Sequence, residues 1–131
     1  MKKRILIIED SEQSLYLITF MLKKHGYEVV QARDGREGIK LAGRVKPALI
    51  LLDIQLPVLD GYAVARELRR NAALADVPII AVTSYAMVGD RERILAAGCT
   101  SYIEKPIDPD TFVSQIEQVL LVRPPDQRSE L

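Results

Sequence analysis

Residues 48–61 read ALILLDIQLPVLDG, and this stretch decides the fold. Apolar residues run unbroken from Ala48 to Leu52 and stop at a carboxylate, Asp53. A short run of Leu and Ile suits a strand covered on both faces, as at the centre of a parallel sheet. Periodicity alone leaves a buried helix open. Pro47 before the run, and Pro57 with Asp60-Gly61 after it, argue for a short strand between breakers. Asp53 then stands at the carboxyl end of a central strand, the edge at which open parallel sheets bind ligands.

Outward from that strand the pattern repeats. Ile5–Ile8 is a second short apolar run, ending in Glu9-Asp10. A helix follows it, with Asp10 and Gln13 at capping-box spacing, Ser11 as another cap candidate, and Leu15, Ile18 and Leu22 on one face. His25-Gly26 ends that helix, and Tyr27–Ala32 is strand two. Asp34 and Glu37 repeat the cap spacing for a helix through Ile39, Ala42 and Val45. After Asp53, a helix over about 61–71 carries Val64, Ala65 and Leu68 inward and leaves Arg66, Arg69 and Arg70 outside. Pro78–Thr83 is a fourth buried strand, and Asp90–Ala97 a helix capped by Gly98. Ser101–Glu104 is a short fifth strand before Lys105-Pro106. Asp110 opens a last helix with Phe112, Ile116 and Val119 on one face, and residues 123–131 read as a flexible tail. Strands alternating with helices imply an α/β domain, a single doubly wound parallel sheet of five strands with helices on both faces.

The totals agree with one such domain. At 131 residues and 48% hydrophobic, the chain can bury a core without staples. Its 18 basic and 18 acidic residues cancel, and no basic run points to direct nucleic-acid binding. Cys99 is the one cysteine, so no internal disulfide forms, as suits a reducing interior. It reads as a small core residue. No segment approaches the ~20 apolar residues of a membrane span. The basic start is followed by an apolar run too short for a signal peptide, so a cytoplasmic location without membrane insertion is expected. The opening Met and polar end favour a complete protein.

Along the ligand-binding edge the strands deliver Glu9 and Asp10, Asp53, Thr83 and Lys105. Three carboxylates in one cleft repel unless something positive sits among them. Lys105 supplies one charge. Oxygen ligands without His or Cys favour a hard divalent cation, most simply Mg2+, which also takes phosphate oxygens. A carboxylate can attack phosphorus to form an acyl phosphate, with a metal, Lys105 and the Thr83 hydroxyl against the equatorial oxygens. Each residue alone has an ordinary role: Asp10 a cap, Asp53 a loop start, Thr83 a strand end, Lys105 a surface lysine. The combination carries the argument.

Glu9-Asp10, Asp53 with Leu56-Pro57 and Asp60-Gly61, Thr83-Ser84 and Lys105-Pro106 resemble the receiver domain of bacterial two-component response regulators, across essentially the whole chain. Leu51–Pro57 and Gly89–Arg93 look most like stand-alone receivers of the DivK type or receivers attached to hybrid kinases. The resemblance implies the flavodoxin-like strand order 2-1-3-4-5 of CheY-type receivers over residues 1–122. It also implies that Asp53 accepts a phosphoryl group from a histidine kinase or histidine phosphotransfer protein. Asp10, Asp53 and the backbone carbonyl of Gln55 would hold Mg2+, with Glu9 acting through water, while Lys105 and Thr83 contact the phosphoryl oxygens. Tyr102 would be the aromatic switch, turning inward as Thr83 moves, and Gln55 and Tyr85 would tune the phosphoryl lifetime. The Lys105-Pro106 peptide would be cis. The chain would act on itself alone, by phosphotransfer and autodephosphorylation, rather than as an enzyme. Its output would be binding of a downstream protein through the fourth helix, fifth strand and fifth helix.

Other classes make different demands. A flavin or nucleotide oxidoreductase on this architecture wants glycines or hydroxyls after strand one, where Glu9-Asp10-Ser11-Glu12 repels phosphate. A phosphatase with an Asp nucleophile wants a second carboxylate where Gln55 stands. A degenerate receiver working as a constitutive binding module would lack some key residues, and all are present. His25, the one histidine, reads as part of a capping turn and not as a phosphoryl donor.

Overall fold

A computed structural model describes residues 2–84 and 88–121. The strands are β1 (Arg4–Ile8), β2 (Glu28–Ala32), β3 (Leu49–Asp53), β4 (Ile79–Thr83) and β5 (Ser101–Glu104). The helices are α1 (Glu12–Lys24), α2 (Gly35–Val45), α3 (Gly61–Arg70), α4 (Val88–Ala96) and α5 (Phe112–Leu121), with a 3-10 turn over Ala72–Leu74. All strand pairs are parallel, and the sheet order is β2-β1-β3-β4-β5, as expected. No helix among the described residues is long and apolar enough to cross a membrane.

Side chains alternate across each strand, so an unbroken apolar run feeds two cores. Leu6, Ile8, Ile50, Leu52, Ile79 and Ala81 face one side, where Ala42, Val64, Leu68 and Ile94 of α2, α3 and α4 pack on them. Ile5, Ile7, Leu49, Leu51, Ile80 and Val82 face the other, covered by Leu15, Ile18 and Leu22 of α1 and by Phe112 and Ile116 of α5. Every residue of β3 is buried.

Local hydrogen bonds set the helix starts. Of the two cap candidates for α1, Ser11 does the work: its side chain accepts the Ser14 N–H. Asp10 is thereby left exposed for another role. Asp34 accepts the Glu37 N–H at 2.8 Å, as the cap spacing predicts, while Glu37 reaches back past the cap to accept the Arg33 N–H at 2.7 Å instead of the Asp34 N–H of a closed capping box. His25 caps α1, and its Nδ1 lies 2.9 Å from the Met21 carbonyl, in the turn role expected of it. The expectation for the last helix is corrected by a short distance. Asp108, not Asp110, opens the turn, accepting the Asp110 N–H on its side chain and the Phe112 N–H on its carbonyl. The tail over 123–131 lies outside the described residues.

One expectation is overturned. Arg69 is not an outside residue of α3. Its guanidinium is half-buried and donates to the carbonyls of Gly98 at 2.8 Å, Leu74 at 2.8 Å and Val77 at 2.7 Å. The helical stripe places it at the border of the buried face, and the chain ends leading into β4 and β5 present carbonyls there that helices and strands leave unpaired. Gly98 sits at φ +111°, and a Cβ there would come within 2.6 Å of the Arg69 side chain, so glycine is required by conformation and by contact.

Arg69→Ala should therefore destabilise the domain by about 2–4 kcal/mol, because several carbonyls lose a charged donor together. Arg66→Ala, on the exposed stripe beside it, should stay within ~0.5 kcal/mol of wild type. Urea unfolding followed by circular dichroism checks both. Equal losses would remove the hub role assigned to Arg69.

Candidate functional site

Register builds the site. Ile8 pairs with Leu52 of β3, so Glu9 and Asp53 leave the sheet side by side. Asp53 pairs with Val82, which puts Thr83 one residue further out, and Thr83 pairs with Glu104, which brings in Lys105. Glu9, Asp53 and Thr83 are the buried polar or charged residues of the described chain, at 2%, 4% and 1% exposure. All lie at this edge. Gly61 lets the β3–α3 loop close over it: a Cβ there would overlap Ile54 and come within 2.6 Å of the Asp53 carbonyl oxygen.

Lys105 Nζ donates to Glu9 Oε1 at 3.0 Å and lies 3.6 Å from Asp53 Oδ2. The opposite oxygens are held by backbone: Glu9 Oε2 accepts the Ser11 N–H at 3.2 Å, and Asp53 Oδ1 accepts the Gln55 N–H at 2.9 Å. Each buried carboxylate is thus fixed between an ammonium and an amide. Burial above all, and then Asp53, push the Glu9 carboxyl above the usual carboxylate range, against the opposing pull of Lys105 and the Ser11 N–H. Burial draws the Lys105 ammonium down, but the hydrogen bond to Glu9 and the Asp53 charge outweigh it and hold it above its ordinary value. The Lys105-Pro106 peptide is cis.

Carboxylate oxygens of Glu9, Asp10 and Asp53 lie within 4.8 Å of one another. At an effective dielectric near 20, two charges about 5 Å apart repel by ~3 kcal/mol, so the solvent side of the cluster favours a further cation. Asp10, exposed and released from capping, completes a set of hard oxygen donors there. The donor set fits Mg2+.

The remaining residues divide. Gln55 joins the site, and its Oε1 accepts the Ser84 N–H at 3.3 Å, tying the loop after β3 to the one after β4. Tyr102 stands apart from the carboxylates. Its hydroxyl accepts from Arg91 Nη2 at 2.7 Å and Nε at 3.1 Å, and the guanidinium carbon lies 5.4 Å from the ring centroid. Tyr85 lies outside the described residues. Cys99 is buried, and burial pushes its thiol up to about 11, as suits a core residue and no redox centre.

Two features escaped the sequence reading. Arg91 is one, since nothing local ties it to Tyr102. The other is the outer face of α1, where Tyr16 and Phe20 are 74% and 56% exposed with ring centroids 6.5 Å apart. Tyr16, Leu17 and Phe20 form a second apolar stripe beside Leu15, Ile18 and Leu22, and a helix apolar on more than one face could have signalled it. Leu17, Ser84, Lys105 and Ile107 line a cavity of about 580 Å³ between this helix and the loop after β5.

The model of the response regulator receiver domain matches residues 5–117. Over 120 residues the chain is 42% identical to the polar-differentiation response regulator DivK of Brucella anthropi, covering 92% of this chain and 98% of that protein. Among solved structures, the receiver domain of the sensor histidine kinase PA1611 from Pseudomonas aeruginosa has magnesium coordinated in its active-site cleft. It superposes with a TM-score of 0.80 at 38% identity, covering 92% of this chain and 95% of that one. The Vibrio cholerae chemotaxis protein CheY4 gives a TM-score of 0.88 at 26% identity, covering 91% and 99%.

Because Lys105 and a divalent cation compete for the same carboxylates, Lys105→Ala should tighten Mg2+ binding several-fold. Asp10→Asn, which removes the exposed oxygen donor, should weaken it by about tenfold or more. Calorimetric titration of each variant at mildly alkaline pH measures this. Unchanged affinity in both would place the ion elsewhere.

Proposed function

Since the chain belongs to the response regulator receiver family, the phosphorylation-controlled switches of two-component signalling, we propose that Asp53 is its phosphoacceptor. The observation that carries this reading is the buried Asp53 carboxylate fixed between the Gln55 N–H and the Lys105 ammonium, with Glu9 and Asp10 alongside. An Asp53 oxygen attacks the phosphorus of a partner's phosphohistidine, the P–N bond breaks, and an acyl phosphate forms. Asp10, Asp53 and the Gln55 carbonyl would hold Mg2+, with Glu9 acting through water. The bound ion offsets charge on the phosphoryl oxygens. Lys105 and the Thr83 hydroxyl contact those oxygens from the protein side. The chemistry is confined to the chain's own phosphotransfer and the later hydrolysis of its own acyl phosphate.

The donor, a histidine kinase or histidine phosphotransfer protein, docks on the exposed apolar face of α1, which adjoins the cleft beside Lys105. An apolar patch rimmed by polar residues next to a reactive centre supports that placement. Output passes to the opposite flank. When Thr83 closes on the phosphoryl group, Tyr102 turns inward and gives up two hydrogen bonds from Arg91, at an expected cost of about 1–3 kcal/mol. Differential contacts to the phosphoryl group must exceed that to shift the population. The surface so changed is α4, β5 and α5, where a cavity of about 330 Å³ runs between Tyr102, Ile103 and Val119 on the sheet's edge and binds the downstream protein.

Intact mass after incubation with Mg2+ and acetyl phosphate tests the premise. One labile phosphoryl adduct is expected, dependent on Mg2+ and lost in Asp53→Asn. No adduct with any donor would leave a constitutive binding module instead. The Gln55 side chain, tied across the cleft to Ser84, screens the acyl phosphate from water. Gln55→Ala should shorten the half-life of the adduct several-fold in the same assay, and an unchanged half-life would remove that role.

A further inference from the structure

The 18 basic and 18 acidic residues cancel in total, but the fold separates them along the strand direction. Acids collect at the carboxyl edge of the sheet: Glu9, Asp10 and Asp53 in the site, and Asp34, Asp60 and Asp108 at helix starts. The amino edge carries the opposite sign. There the Glu28 N–H donates to the Lys3 carbonyl at 2.9 Å, and the Ala48 N–H to the Arg4 carbonyl at 2.8 Å. The Tyr27 N–H donates to the Leu22 carbonyl at 3.0 Å, and Arg4 Nη1 to the Val45 carbonyl at 2.7 Å. These bonds bring the ends of α1 and α2 to either side of the start of β1. Lys2, Lys3, Lys23, Lys24, Arg44 and Lys46 gather there. All six are exposed, and none has a side-chain hydrogen bond or ion pair among the described residues.

The acids of this edge do not balance them. Glu28 is paired with Arg4 at 3.0 Å and Glu67 with Arg70 at 2.8 Å, while Asp76 stands near the Arg69 guanidinium. Glu117, which accepts the Tyr27 hydroxyl at 3.2 Å, is left against the six cations. Helix dipoles account for part of the excess, because they favour cations in last turns, where Lys23, Lys24 and Arg44 lie. Lys2 and Lys3 precede β1 and belong to no helix, yet they join the same cluster. The last helix, α5, also ends at this edge, since Gln118 and Val119 line one cavity with Ser101 at the start of β5. Its final residue, Leu121, is 79% exposed.

We propose that the amino edge of the sheet docks on an anionic lipid surface, its six cations against the headgroups and Leu121 against the apolar boundary beneath them. Adsorption of this kind is peripheral and needs no spanning helix. The charge comes from three separate segments around one end of the domain, an arrangement that meets a plane rather than a groove. Five of the six are lysines, point charges without the planar fork that suits bidentate reading of nucleic acid. The neighbouring Tyr27 packs against the core with its hydroxyl on Glu117, so it offers no ring to stack a base. A domain adsorbed through this edge turns its carboxylate cluster away from the surface. Docking is therefore independent of whether Asp53 is phosphorylated.

Co-sedimentation of the full chain with phosphatidylcholine vesicles, with and without roughly one-third phosphatidylglycerol, tests this without phosphorylation. Binding is expected to the anionic vesicles alone, and to be lost as salt rises from about 0.05 M to 0.5 M and shortens the Debye length. Each cation near an anionic surface is worth about fivefold in partitioning, so Lys23→Glu with Lys24→Glu should lower it by about tenfold or more. Acids at a helix end are unfavourable, so Lys2→Glu with Lys3→Glu, outside any helix, provides a second variant with the same expected loss. Leu121→Ser should weaken binding several-fold. Arg36→Glu with Lys40→Glu makes the same change of net charge on the flank of α2 and should weaken binding far less. All these variants should keep the acetyl phosphate reaction. The proposal is overturned by equal binding to neutral vesicles, by no binding to anionic vesicles at low salt, or by equal losses in the α2 variant. It is equally overturned if duplex DNA is bound and the vesicles are not, or if the protein sediments without vesicles, which would set this edge against the acidic edge of a second copy.

Discussion

Two carboxylates, Glu9 and Asp53, are almost wholly withdrawn from water at one edge of the sheet, and one ammonium, Lys105, stands between them. Buried charge is tolerable only when paired and hydrogen-bonded, so this triad constrains everything around it. Each carboxylate takes one backbone N–H from two residues ahead, which fixes the path of the chain as it leaves β1 and β3. Lys105 must arrive from the far side of β4, so the register of β3, β4 and β5 has to bring the ends of three strands level. The apolar strands are the means to that alignment. Their two-sided burial locks the register, because a slip by one residue would exchange the two cores.

The same economy of cations recurs on the other side of β4. Arg69 gathers the carbonyls of Leu74, Val77 and Gly98, where the chain enters β4 and β5 without strand or helix partners. One partly buried lysine therefore organises the functional edge, and one half-buried arginine organises its opposite end. A third cation, Arg91, holds Tyr102 at the surface of α4. Arg93 lies over the Tyr62 ring at 4.3 Å and links α4 to α3. The helix best placed to respond to the site is thus attached through side-chain contacts that can be exchanged, rather than through a large apolar interface. Such contacts suit the switching role proposed for this flank.

The surface divides into regions of distinct chemistry. The exposed apolar stripe of α1 opens onto the cleft, and the edge of β5 with α5 lies beyond Tyr102. Receiver domains are phosphorylation-controlled signalling switches, and separate faces leave room for the proposed donor and target to be engaged together. Family membership and the likeness to DivK-type regulators agree with such a role.

The sequence by itself determined the strand ends, the helix starts and the residue types of the site. Parallel strands covered on both faces leave unbroken apolar runs, and those runs end where the chemistry begins, at Glu9-Asp10, Asp53, Thr83 and Lys105. Caps are legible because their hydrogen bonds span three or four residues, as at Asp34 with Glu37. Tertiary structure alone decided the rest. Arg69 reads like its neighbours Arg66 and Arg70 until the carbonyls of distant segments are placed around it. Ser11 and Asp10 are equivalent cap candidates until Asp10 is drawn into the carboxylate cluster. Tyr102 faces Arg91 for reasons no local pattern carries. Periodicity and capping are short-range and written in neighbouring residues, whereas the pairing of a buried polar group depends on which distant backbone ends beside it.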